Sequence, residues 1–211
     1  MRIVQVNKFY YQRRGAERYY FSLTELLQEH GQTVVPFAMA DIHNYESPYQ
    51  DYFARHLDVA NPGYNWESLT KISRIIYNRD AARDLATLLR HARPDVVHLH
   101  NIYHQLSPSL LPVCRAAGVP VVMTIHDFHL LSPNYSLFWH GQVDECAWPN
   151  QPWKSILHRC VKGSIGASIV GAVEVGLHRR WQIYQNNVHT FIAPSRFVKQ
   201  KFRQWQWPGA D

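Results

Sequence analysis

Two rhythms of apolar and polar positions alternate along this chain. Short runs rich in β-branched residues, "RIVQVN", "TVVPFAM", "DVVHLHN", "VPVVMTI" and "VHTFIAPS", carry apolar side chains at consecutive positions. That is the signature of strands covered on both faces. Between them, "AERYYFSLTELLQEHG" repeats Tyr19, Leu23, Leu26 and Leu27 at helical spacing and ends on Gly31, where a helix terminus favours glycine. "WESLTKISRIIYNRDAARDLATLLRHARP" predicts one amphipathic helix ending before Pro94. "LSPSLLPVCRAAG" predicts a helix closing on Gly118, and "WKSILHRCVKGSIGASIVGAVEVGLHRRWQIYQ" a helical stretch with glycine interruptions. A short basic helix, "RFVKQKFRQW", follows the last strand. Pro36 makes the second run a poor central strand. Residues 40–65 and 127–152 read as long loops, the first with a short strand around Phe53 to Val59.

Strands alternating with helices predict an α/β fold, a parallel sheet covered on two faces. Right-handed crossovers make such a sheet doubly wound and Rossmann-like, with ligands beyond the carboxyl ends of strands where strand order reverses. That reversal is expected between "RIVQVN" and "DVVHLHN". The loops available there are Asn7 to Gly15, Asn101 to Ser107, and His126 onward.

Length and charge narrow the class. A chain of 211 residues supports one full-sized domain, not two large ones. Twenty-two Lys and Arg against sixteen Asp and Glu leave +6, which suits phosphorylated substrates, anionic membranes or nucleic acid without choosing among them. Cys114, Cys146 and Cys160 form no C-x-x-C pair, so a zinc ribbon or redox motif is not indicated. An odd cysteine count and no secretory start point to a reducing cytoplasm. The least polar stretch, "GSIGASIVGAVEVGL", is short and carries Glu174, so it is not expected to span a bilayer.

Three stretches could carry chemistry. In "QRRGAERYY", Gly15 at a helix start offers close backbone approach, unpaired N–H groups and a positive dipole end beside Arg13 and Arg14. It reads either as a phosphate site or as a plain helix start with exposed arginines. No G-x-G-x-x-G is present, which disfavours dinucleotide redox chemistry. In "HLHNIYH", strand alternation puts His98 and His100 on one face. Joined by His126 or Asp127 they would make a metal hydrolase; otherwise His98 is a hydrogen-bonded core histidine, with His100 and Asn101 nearer the rim. In "TIHDFH", adjacent residues point oppositely, so Asp127 is not the obvious partner to orient His126, and no G-x-S-x-G elbow supports a serine relay. His126 reads as an electrostatic group at a crevice floor or as part of a strand cap.

Four motifs, "RGAERYY", "PDVVHLHN", "GVPVVMTIHDFHLLSP" and "FIAPSRFVKQKF", together resemble the N-terminal, acceptor-side half of family-4 glycosyltransferases of the GT-B fold. They run from the first strand to residue 202. The resemblance implies transfer of a sugar, with retention, from a nucleotide-diphosphate sugar to a glycan or glycolipid acceptor, of hexosyltransferase type and in cell-envelope polysaccharide synthesis. It implies no cofactor, no metal and no nucleic-acid partner. Carried over, Gly15 and Arg14 lie beside the donor phosphates and acceptor. His126 contacts the donor sugar and stabilises developing charge, with Asp127 paired with it as catalytic. Asn101 lines the crevice, and Glu17 and Arg196 are further substrate-binding candidates.

Two departures from the family pattern bear on activity. Arg14 replaces the first glycine of the usual pair, and the family's paired donor-binding glutamates belong to a C-terminal domain. Residues 1–205 are therefore expected to be the N-terminal domain and 206–211 the start of a linker to that domain, the 211-residue chain alone being inactive. The basic helix sets Arg196, Lys199, Lys201 and Arg203 beside Phe197, Phe202 and Trp205, which suits either peripheral contact with the inner face of a membrane or packing on the absent domain. The competing readings are the metal hydrolase on His98, His100 and His126, and a non-catalytic binding module.

Overall fold

A computed structural model of the chain describes residues 1–58, 66–145, 147 and 151–208. They gather into two compact units. The first holds Met1–Thr124 and Asn186–Ile192; the second holds Ile125–Gln185 and the chain from Ala193 onward.

The first unit is built on a parallel sheet of five strands: β1 (Arg2–Val6), β2 (Thr33–Phe37), β3 (Val96–Leu99), β4 (Val121–Thr124) and, after β5 and β6 of the other unit, β7 (Thr190–Ile192). Their order across the sheet is β2-β1-β3-β4-β7. Strand order reverses between β1 and β3, in the register Ile3 to Val96 through Val6 to Leu99, as the alternation of runs predicts. Helix α1 (Gly15–Glu29) links β1 to β2, while α2 (Trp66–Ile76) and α3 (Arg79–Ala92) precede β3 and α4 (Leu110–Ala116) links β3 to β4. This is the Rossmann-like doubly wound arrangement. Its strands are sealed by Val4, Val6, Val35, Phe37, Val97, Leu99, Val121 and Met123, none with measurable exposure. Each such side chain contributes roughly 1.5–3 kcal/mol by burial.

Several local features follow from single residues. Pro36 lies in β2, which is an edge strand, so its missing N–H costs no ladder bond on the open side. Gly31 and Gly118 close α1 and α4 with φ of 73° and 68°. The long helix expected before Pro94 is two helices. Asn78 interrupts it by accepting from Ala81 N–H at 3.1 Å, a side-chain cap that starts α3 afresh. The strand expected from Phe53 reduces, within the described residues, to one parallel bridge between Met39 and Ala54 after a 3-10 turn at Gln50–Tyr52; Val59 lies outside them.

Cys114, on α4, is fully buried, and burial pushes its thiol up to about 12. The thiol of an unfolded chain loses its proton near pH 8.5. The folded state therefore keeps a proton that the unfolded state releases, so this group's contribution to stability falls as pH rises from the unfolded pKa towards about 12. At pH 9, iodoacetamide with peptide mapping is expected to leave Cys114 unlabelled in the native chain and to label it in urea.

The second unit contains a small hairpin, β5 (Phe138–Trp139) with β6 (Gln142–Val143), inside the stretch expected to be loop. His140 and Gly141 turn it with φ of 49° and 78°, both left-handed, the geometry of a two-residue type I′ turn. Helices α5 (Lys154–His158) and α6 (Ile165–Arg180) follow, interrupted by Gly163 at φ 69°, and then α7 (Arg196–Gln204). On α7, Phe202 and Trp205 are buried in the helix's own unit, Phe197 is exposed, and Lys201 is ion-paired with Glu145. Among the described residues no helix is long and apolar enough to cross a membrane.

Candidate functional site

The carboxyl ends of β1 and β3 open onto two loops that one buried side chain holds together. Asn7, the residue after β1, is 1% exposed. Its Nδ2 donates to Phe9 O at 2.9 Å and to Glu17 Oε1 at 3.3 Å, while its Oδ1 accepts from Asn101 N–H at 3.2 Å. Lys8 adds two further ties, its N–H to Asn101 O at 2.8 Å and its Nζ to Tyr103 O at 3.0 Å. The loop after β1, the start of α1 and the loop after β3 are thus fixed at the point of strand reversal. The far part of the β3 loop is anchored separately: Asn78 Nδ2 donates to Gln105 O and Asn78 N–H to Ser107 Oγ, both at 2.8 Å.

Of the residues singled out in the sequence, Arg14, Gly15, Glu17 and Asn101 meet here. Glu17 is 3% exposed, and its second oxygen accepts from Arg14 N–H at 3.0 Å, so both carboxylate oxygens already hold the loop against the helix. Arg14 is exposed, with extended backbone, and Arg13 lies over the Phe9 ring at 4.7 Å from its centroid. A Cβ built on Gly15 would meet nothing within 4 Å, and its backbone is not left-handed. Neither packing nor strain asks for glycine there. The first turn of α1 consequently presents its unbonded N–H groups and positive dipole end to open space. Asn101 is 8% exposed, and its Oδ1 accepts no hydrogen bond among the described residues.

The two histidines of β3 lie below this surface. Their rings stack at 4.4 Å, which confirms that they share a face. His98 Nε2 shares a 2.8 Å hydrogen bond with Thr124 Oγ1, as a core histidine does. His100, expected nearer the rim, is instead fully buried beside Tyr19 and Tyr20, with ring centroids at 5.9 and 5.2 Å. It follows the last strand residue, Leu99, so its side chain turns under α1 rather than outward. The Tyr20 phenol is held well above its ordinary pKa, first by burial and then by Tyr10, and stays neutral.

His126 and Asp127 belong to the second unit, two and three residues beyond β4, and are half-buried. Asp127 Oδ1 accepts from His129 N–H at 3.0 Å, closing a tight turn. Behind that turn lies a polar anchor that the sequence pattern did not single out. His129 Nε2 meets Glu174 Oε1 at 3.2 Å, with 2% and 0% of the side chains exposed. Arg179 of α6 donates to Leu131 O, and burial lowers its pKa to about 10. Tyr184 is raised well above the ordinary value by burial, then by Glu174 and Asp127. A Cβ on Gly171 would come within 3.1 Å of Pro133, so this glycine lets the loop lie close on α6. One signal was available: a lone carboxylate in a glycine-rich apolar helix demands a buried partner. Arg196 stands exposed in the first turn of α7, which Ser195 caps by accepting from Val198 N–H at 3.2 Å.

The Asn7 tie is testable by substitution. Asn7→Ala leaves buried donors and acceptors unmatched and is expected to cost about 2–3 kcal/mol. Asn7→Asp sets a second carboxylate against Glu17, which raises the pair's apparent pKa. Stability present when the pair shares a proton is then lost as pH rises, so the Asp variant should melt closer to the parent at pH 5 than at pH 7.

The sequence profile of Glycosyltransferase Family 4 matches residues 13–211. No curated protein matches the chain significantly.

Proposed function

The chain belongs to glycosyltransferase family 4, and from that premise we propose that it forms the acceptor-side half of a retaining transferase using a nucleotide-diphosphate sugar. The supporting observation is the open first turn of α1 at the point of strand reversal, fixed by Asn7 and unobstructed at Gly15. A departing diphosphate gains negative charge in the transition state. Preorganised N–H groups, a helix N-terminus and nearby cations stabilise that charge without reorganising. Arg13 and Arg14 supply the cations, and Asn101 offers an uncommitted acceptor to a sugar hydroxyl. In this reading His126 and Asp127 meet the reacting sugar, and Arg196 contributes a cation to substrate. A glycosidase needs two carboxylates to manage a water; a transferase with an activated leaving group does not.

Further parts of the reading are a glycan or glycolipid acceptor of the cell envelope, work at the cytoplasmic side, and a donor-binding domain in sequence past Asp211. The His98/His100 hydrolase loses its basis, because His98 Nε2 is committed to Thr124 and His100 is sealed beneath Tyr20. The test is release of nucleoside diphosphate from a panel of nucleotide sugars, with candidate glycan and lipid-linked acceptors. The 211-residue chain should give no turnover alone. Joined to the rest of its gene product it should give acceptor-dependent release, with the anomeric configuration retained by NMR. Turnover by the isolated chain would overturn the division of labour; acceptor-independent hydrolysis with stoichiometric bound metal would overturn the transferase reading.

A further inference from the structure

Helix α6 is apolar on two sides. Its inner side buries Gly171, Ala172, Glu174, Val175 and His178. Its outer side exposes Ile165, Ile169 and Val173 at 46%, 44% and 44%, spaced four residues apart and so on one stripe. A surface helix ordinarily turns polar residues outward; one that is apolar all round is buried in protein or faces lipid. The neighbouring α5 repeats the feature, with Leu157 70% exposed and Trp153, at its cap, 53% exposed.

Charge identifies the occupant. From Gln151 to Gln185 the sequence carries five Lys and Arg and a single acid, Glu174, which is fully buried. Arg159 and Lys162 stand exposed in the turn between the two helices, and the Lys154 ammonium lies 6.0 Å from the Trp153 ring centroid. Protein interfaces are depleted in Lys at their centres. Exposed Trp, Leu and Ile beside Lys and Arg, with no exposed carboxylate, match the headgroup layer of a bilayer, where aromatic rings sit at the interface and basic side chains reach phosphates. The α7 helix, whose sequence first suggested lipid, spends Phe202 and Trp205 on its own unit.

We propose that the exposed face of α5 and α6 docks the chain on an anionic lipid surface, without spanning it. This does not depend on the sugar-transfer reading and is measured without turnover. The 211-residue chain is expected to co-sediment with vesicles of equimolar phosphatidylcholine and phosphatidylglycerol and to remain in solution with phosphatidylcholine alone. Leu157→Asp with Ile169→Asp should lower the bound fraction at least about tenfold at unchanged melting temperature, since both positions are exposed. Lys154→Glu with Lys162→Glu should do likewise, and decides the matter if the first variant does not fold. Binding that is absent, equal on neutral vesicles, or unaffected by the foldable variants overturns the proposal. So does a concentration-dependent dimer in sedimentation velocity that the same substitutions dissociate, which would assign the face to a second copy.

Discussion

Gly15→Ala is expected to reduce sugar transfer by the complete enzyme at least about a hundredfold while leaving the fold intact or slightly more stable. The two halves of that outcome have separate physical origins. The added methyl group meets no protein atom within 4 Å and the backbone there is not left-handed, so nothing in the chain resists it. Replacing glycine also removes conformational freedom from the unfolded state, a gain of about 0.5–1 kcal/mol where the conformation fits. The methyl group does, however, occupy the space from which a diphosphate would reach the first N–H groups of α1. A displacement of about 1 Å at such a contact suffices for a loss of that size. Transfer kinetics beside a thermal melt separate this from general damage: activity must fall while the melting temperature holds or rises. Equal activity in the variant would show that no ligand uses the backbone at Gly15.

The second large effect is on stability. Glu174→Ala removes one partner of a pair with 2% and 0% exposed side chains and leaves His129 and Tyr184 around a void. Breaking a buried ion pair from one side costs about 3–5 kcal/mol. At the usual conversion of roughly 2–4 °C per kcal/mol for a chain of this size, the melting temperature should fall by about 6–20 °C. Glu174→Gln keeps a hydrogen-bonding oxygen facing His129 Nε2 and should cost only about 1 kcal/mol. The loop from Asp127 to Pro133 rests on this anchor through His129 and on α6 at Gly171, so Glu174→Ala should also speed amide exchange across that loop. A melt for Glu174→Ala indistinguishable from Glu174→Gln would mean the pair contributes packing and no charge.

What the sequence made legible was the part governed by short-range pattern. Consecutive β-branched residues marked all five strands of the parallel sheet, and their alternation with helices located the reversal between β1 and β3. Pro36 marked an edge, and Gly31 and Gly118 marked helix ends, because each acts through its own backbone. Features made by long-range contacts were not legible. Asn78 reads as an ordinary helical residue until Gln105 and Ser107, 27 and 29 residues on, bond it as a cap. Asn7 reads as a strand end, and only the approach of Asn101, 94 residues away, makes it the joint of the site. Glu174 was visible as an obstacle to a membrane span, but its partner His129 lies 45 residues earlier. Of the candidate residues, those beside the strand reversal were brought together by Asn7, whereas His126 and Asp127 fall in the second unit, on the far side of Thr124 in sequence.

The central claim is that substrate meets the protein at the carboxyl ends of β1 and β3. Hydrogen exchange by mass spectrometry on the complete enzyme, with and without the nucleotide sugar it turns over, measures this directly. Protection should appear in peptides covering residues 7–18 and 100–107 and should vanish in Gly15→Ala. Protection confined to other segments, with those two peptides exchanging at the same rate in both states, would contradict it.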